Sequence, residues 1–69
     1  MDKQIVVLDG QEFDLDVLAG YMDDELRESV NDMQFEDDQE YIELYIQQAK
    51  EHDKGFIEVL ESEFGIAID

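Results

Sequence analysis

A chain of 69 residues has room for one small domain, which at this size buries only about 60% of the surface it exposes when unfolded, so a second lobe with a cleft is excluded. It contains no cysteine, which removes disulfides and cysteine-built zinc sites and points to the cytoplasm. Twenty-one Asp and Glu against four Lys and Arg leave a net charge of −17 that repels nucleic acid and anionic membranes alike, while an apolar fraction of 43% still allows a folded core.

The first predicted element is a β-hairpin. Residues 4–8 and 11–15 are two runs rich in Ile, Val, Phe and Leu, separated by Asp9-Gly10, a dipeptide suited to both left-handed positions of a type I′ turn. In the second run Phe13 and Leu15 alternate with Glu12, Asp14 and Asp16, so one face is apolar and the other acidic. The run Ile5, Val6, Val7, Leu8 is too short for a signal-peptide core, and no later stretch is long enough to span a membrane. Residues 14–19 are expected to form a short helical turn ending near Gly20, with Val17, Leu18 and Tyr21 inward.

Residues 22–33 read as a helix. Met22, Leu26, Val30 and Met33 fall on one stripe, and Asp23, Asp24 and Glu25 occupy the first turn, where the helix dipole favours negative charge. A capping box, Asp37-Asp38-Gln39-Glu40, opens the next helix, which carries Tyr41, Ile42, Tyr45 and Ala49 inward and is expected to end near Lys54-Gly55. Phe56, Ile57, Leu60 and Phe64 recur at helical spacing, which favours a further helix over 56–64, although residues 56–59 could instead pair with the hairpin. Ile66-Ala67-Ile68, after Gly65, reads as extended.

Catalysis finds little support in this inventory. There is one histidine, His52, two serines and no Gly-rich phosphate loop. His52 falls near the inward stripe of its helix and reads as a partly buried structural residue. Paired carboxylates such as Asp23 and Asp24 need a dry pocket before one can act as a general acid, and a fold this small leaves most of them solvated. The acidic clusters do not match a calcium-binding EF-hand: loops started at Asp9, Asp23, Asp32 or Asp37 each fail the required pattern. No catalytic residue, cofactor or metal is therefore assigned. The stretch Val59-Leu60-Glu61-Ser62-Glu63-Phe64-Gly65-Ile66-Ala67-Ile68 is similar to the end of the second helix of acyl carrier proteins. About a dozen residues upstream, where the carrier's attachment serine belongs, stands Lys50-Glu51-His52, so no phosphopantetheine can be carried.

What remains is the charge. Between Glu12 and Glu40 the only basic residue is Arg27. One carboxylate at every second or third helical position places a charge about every 3 to 4.5 Å along an axis, against about one phosphate per 3.4 Å of a DNA strand. Such a surface suits a groove lined with Lys and Arg. The contact residues expected are Asp23, Asp24, Glu28, Asp32, Asp37, Asp38, Glu40 and Glu43, of which Asp23 and Asp37 also read as helix caps.

The segment Leu8-Asp9-Gly10-Gln11-Glu12-Phe13, the run Tyr21-Met22-Asp23-Asp24-Glu25-Leu26-Arg27-Glu28 and the aromatic stretch Tyr41-Ile42-Glu43-Leu44-Tyr45 resemble short acidic phage and prophage proteins that include anti-CRISPR proteins. The likeness covers about two thirds of the chain. It implies a DNA-mimicking inhibitor of a CRISPR-Cas effector, a basic nucleic-acid-binding complex, acting in the bacterial cytoplasm without itself touching nucleic acid or membrane. The other class is an acidic interaction or antitoxin-like module that holds a basic protein through an apolar patch, with Tyr21, Phe35 and Tyr41 exposed. Binding that survives high salt would mark that class.

The expected architecture is a single α+β domain over residues 1–69. An N-terminal two-stranded antiparallel hairpin packs against two or three amphipathic helices, around a core of Val7, Phe13, Leu26, Tyr45, Leu60 and Phe64.

Overall fold

A computed structural model describes residues 4–68. Strands β1 (Ile5–Leu8) and β2 (Gln11–Asp14) form an antiparallel hairpin, followed by helices α1 (Leu15–Ala19), α2 (Asp24–Asn31), α3 (Asp38–His52) and α4 (Lys54–Glu63). The α+β architecture matches the expectation. Asp9 and Gly10 both have positive φ, +53° and +76°, as a type I′ turn requires, and they set Leu8 opposite Gln11.

That two-residue turn also decides which face of the hairpin is buried. With Leu8 opposite Gln11, Val6 falls opposite Phe13 and shares its face, whereas Val7 falls opposite Glu12. Val6 is therefore the core residue, and Val7, expected in the core, is 46% exposed. Leu26, Tyr45 and Leu60 are buried as expected, and half-buried Phe13 and Phe64 meet edge to face with centroids 5.5 Å apart.

Each helix starts where an aspartate can accept a backbone N–H. Asp14, Asp23, Asp37 and Asp53 take that role, accepting from Asp16, Leu26, Glu40 and Phe56 respectively. Because Asp23 is the cap and Asp32 the C-terminal boundary, α2 is shorter at both ends than the apolar stripe over 22–33, although Met22 is buried and Met33 half-buried. Asp37 accepts the Glu40 N–H at 2.9 Å as a capping box predicts, but the Glu40 carboxylate bonds the Glu36 N–H at 3.3 Å instead of that of Asp37.

Helix α3 packs against α2, α4 and β1, and Tyr41, Ile42, Tyr45 and Ala49 make its buried stripe. It ends at Asp53 and not at Lys54-Gly55. Asp53 closes α3 by donating its N–H to the Ala49 carbonyl at 2.9 Å and opens α4 with its carboxylate, so Gly55 lies in the first turn of α4. Burial of Phe56 and Leu60 gives α4 its inward face, so residues 56–59 are helical and do not pair with the hairpin. At its end Gly65 adopts φ +65°, turning the chain so that the Ile66 N–H donates to the Leu60 carbonyl at 3.0 Å and Ile66 is buried.

Besides Val7, Val17 and Tyr21 were expected inward and are not. The single turn α1 reaches the core with Leu15 and Leu18, which lie three apart, and Val17 between them points outward at 52% exposure. Tyr21 lies beyond the end of α1 and is 48% exposed, its ring edge to face with Phe64 at 5.8 Å.

Candidate partner-binding surface

The acidic residues stay out of the core: among the described residues no charged side chain is buried, and the tyrosines Tyr41 and Tyr45 bring the only polar side-chain groups there. They are also left almost wholly uncompensated. The one ion pair among the described residues is Glu51 with His52 at 3.9 Å, and both side chains are well exposed. His52, expected to be partly buried, has a side chain 61% exposed, the buried stripe of α3 finishing at Ala49.

The eight expected contact residues divide by position. Asp24 and Glu28, one turn apart on α2, border a shallow recess with Arg27 and Asn31. Asn31 and Arg27 also line the next recess, together with Asp38 of α3, Asp16 of α1, Phe35 and Tyr41. A third recess, sharing Asn31 and Phe35, brings in Glu36 and Glu40. Asp24, Glu28, Asp38 and Glu40 thus border one run of adjoining recesses over α2 and the start of α3.

The other four stand apart from that run. Asp23 lines a separate recess with Glu25, Ser29, Gln48 and His52. Asp32 and Asp37 are exposed at the two helix boundaries. Glu43, one turn further along α3, accepts from the Gln39 amide at 3.0 Å.

Asp16 and Glu36 border the run and were missed in the sequence, Asp16 as part of the acidic hairpin face and Glu36 as a loop residue. Only the path of the 32–37 loop brings Glu36 beside Asn31. Arg27 sits half-buried within this surface, and its Nε is buried with no hydrogen-bond partner among the described residues. Of the three aromatic residues considered for an apolar patch, Tyr21 and Phe35 are exposed, whereas Tyr41 is buried with its ring edge to face against Phe35 at 5.1 Å.

No group of three or more His, Asp or Glu side chains among the described residues is arranged to hold a metal ion, and no described helix is long and apolar enough to cross a membrane.

The family model of anti-CRISPR protein AcrIC5 matches residues 6–59, more than three quarters of the chain. The chain belongs to this family. It is a phage anti-CRISPR protein, an inhibitor that acts on a CRISPR-Cas component. No curated protein and no solved structure matches it at a significant level. The match spans the hairpin from Val6, α1, α2, α3 and α4 as far as Val59, so the anti-CRISPR family signature includes every element that borders the acidic surface.

Proposed function

We propose that this anti-CRISPR protein blocks its effector by occupying a positively charged nucleic-acid channel with the acidic surface over α2 and the start of α3. The observation that carries this reading is the near absence of internal ion pairs: among the described residues no Lys or Arg lies within ion-pair distance of a carboxylate, the one close pair being Glu51 with His52, and most of the carboxylates on the capped helices face solvent. An array of fixed, unpaired charges is complementary to a channel of fixed Lys and Arg, and it associates quickly and with steep salt dependence. The contact residues are Asp23, Asp24, Glu28, Asp32, Asp37, Asp38, Glu40 and Glu43. The protein is non-enzymatic, binds no nucleic acid itself, and works in the cytoplasm of the infected bacterium as one domain.

The test is competition on a purified CRISPR-Cas effector that this protein inhibits. Labelled target DNA is expected to be displaced by the inhibitor, and inhibitor binding to weaken steeply as salt rises. Each single Lys substitution among the eight positions is expected to weaken binding about two- to fivefold, the scale of one partly solvated charge contact. At the caps Asp23 and Asp37 the Asn variant is the cleaner probe, because Asn keeps the capping oxygen and removes the charge. Simultaneous binding of inhibitor and DNA, or one substitution that abolishes binding while the others do nothing, would overturn DNA mimicry. Retention at high salt with indifference to DNA would favour the apolar interaction module, with Val17, Tyr21 and Phe35 exposed for it.

A further inference from the structure

The recess beside Phe35 differs from the rest of the acidic surface. It is lined by Asn31, Met33, Gln34, Phe35, Glu36 and Glu40, so it combines two carboxylates with two apolar side chains, Met33 and Phe35, and contains no basic side chain. Phe35 is 36% exposed, and its ring packs at 5.1 Å and 68° against the buried ring of Tyr41. The Glu40 carboxylate is held in turn: Oε2 accepts the Glu36 N–H at 3.3 Å, and the backbone of Glu40 is fixed by the Asp37 cap.

We propose that this recess receives an arginine side chain of the protein partner, as a specific anchor within an otherwise diffuse electrostatic contact. A guanidinium is planar and weakly hydrated, stacks on an aromatic ring and donates in a fork to carboxylates, so it can use Phe35 together with Glu36 or Glu40. A lysine ammonium is more strongly hydrated and offers no flat face. Nucleic acid has the wrong charge for the site, and a second copy would bring another −17 to it.

The anchor rests on the reading that this surface meets a basic protein, but its test does not need the effector. The full-length protein, labelled for NMR, is titrated at fixed salt with two short peptides of equal charge, one carrying arginines and the other lysines. The arginine peptide is expected to bind about two- to fivefold more tightly, the scale of an exposed cation–π contact, and to shift the signals of Asn31, Gln34, Phe35 and Glu40. Phe35→Leu keeps apolar bulk on a surface loop and is expected to erase the difference between the peptides. Glu36→Gln is expected to weaken the arginine peptide more than the lysine peptide.

Equal affinity for the two peptides, shifts spread evenly over the carboxylates, or shifts that depend on protein concentration without peptide would each overturn the anchor. Arginine preference in a protein that fails to displace DNA from its effector would count against mimicry and leave the anchor standing.

Discussion

Tyr45 shows how one residue joins three elements. Its side chain is fully buried, packed edge to face on Phe56 at 4.9 Å, and its hydroxyl donates to Asp53 Oδ2 at 2.8 Å while accepting the Asp23 N–H at 2.8 Å. The start of α2, the middle of α3 and the α3–α4 junction therefore meet at one oxygen. Tyr45→Phe keeps the ring and is expected to cost about 1–3 kcal/mol by leaving these groups short of a partner, read from the denaturant midpoint. Burial, with the neighbouring Asp53 carboxylate adding to it, raises the Tyr45 pKa well above its ordinary value of 10.0. Below about pH 10 native and unfolded chains both hold this proton. Above it the unfolded chain releases the proton while the native one keeps it, so this contribution to stability is lost as pH rises. The decline above pH 10 is expected to be shallower in Tyr45→Phe, and equal slopes in the two proteins would refute this role.

At the scale of elements, the hairpin is protected by a side chain and not by a third strand. Val7 points its backbone away from β2, toward the open edge, and there the Gln39 amide meets both of its groups: the Val7 N–H donates to Oε1 at 2.6 Å and Nε2 donates to the Val7 carbonyl at 2.8 Å. An α3 side chain thus imitates the neighbouring strand and satisfies an edge that would otherwise be open to pairing with another chain. Gln39→Leu is expected to destabilise the fold by about 1–2 kcal/mol, the scale of two hydrogen bonds, and to speed amide hydrogen exchange at Val7 ahead of Val6. Unchanged exchange at Val7 would show that the edge is not held by Gln39. The caps carry a parallel tension. Asp23 and Asp37 start helices and also belong to the proposed contact surface, so under that proposal each carboxylate would serve both fold and binding.

For the whole molecule the governing quantity is charge against size. The Cα trace spans 28 × 27 × 20 Å, comparable to the screening length of about 30 Å at 0.01 M salt, so in dilute buffer every carboxylate feels the others. At 0.15 M that length falls to about 8 Å and only near neighbours repel. The melting temperature is accordingly expected to rise from low to physiological salt, by about 4–8 °C for each kcal/mol of repulsion removed. A melting temperature that fell over this range would show that attraction, not repulsion, dominates the native surface. The same salt is expected to weaken effector binding, so stability and affinity move in opposite directions as ionic strength rises.

Much of the fold was legible in the chain because its signals are local. Asp9-Gly10 specifies the turn, the stripe through Leu26 and Val30 and that through Tyr41, Ile42, Tyr45 and Ala49 specify two helices, and Asp23 and Asp37 announce their starts. Net charge alone sets like-sign repulsion against nucleic acid, which is the basis for proposing a basic protein as the partner. The buried face of β1 was misread, Val7 being expected in the core with Phe13, because alternation within each strand does not relate one strand to the other; the register set by the two-residue turn places Val6 with Phe13. Tertiary structure decided the rest. It ended α3 at Asp53, where the Tyr45 hydroxyl and the Phe56 amide converge, turned His52 and Tyr21 outward, and set Gln39 on the hairpin edge. It also drew Asp24, Glu28, Asp38 and Glu40 from two helices, with Asp16 and Glu36, around one run of recesses. Such placements depend on which helix packs on which, and helical periodicity reports only on residues within a turn or two of each other.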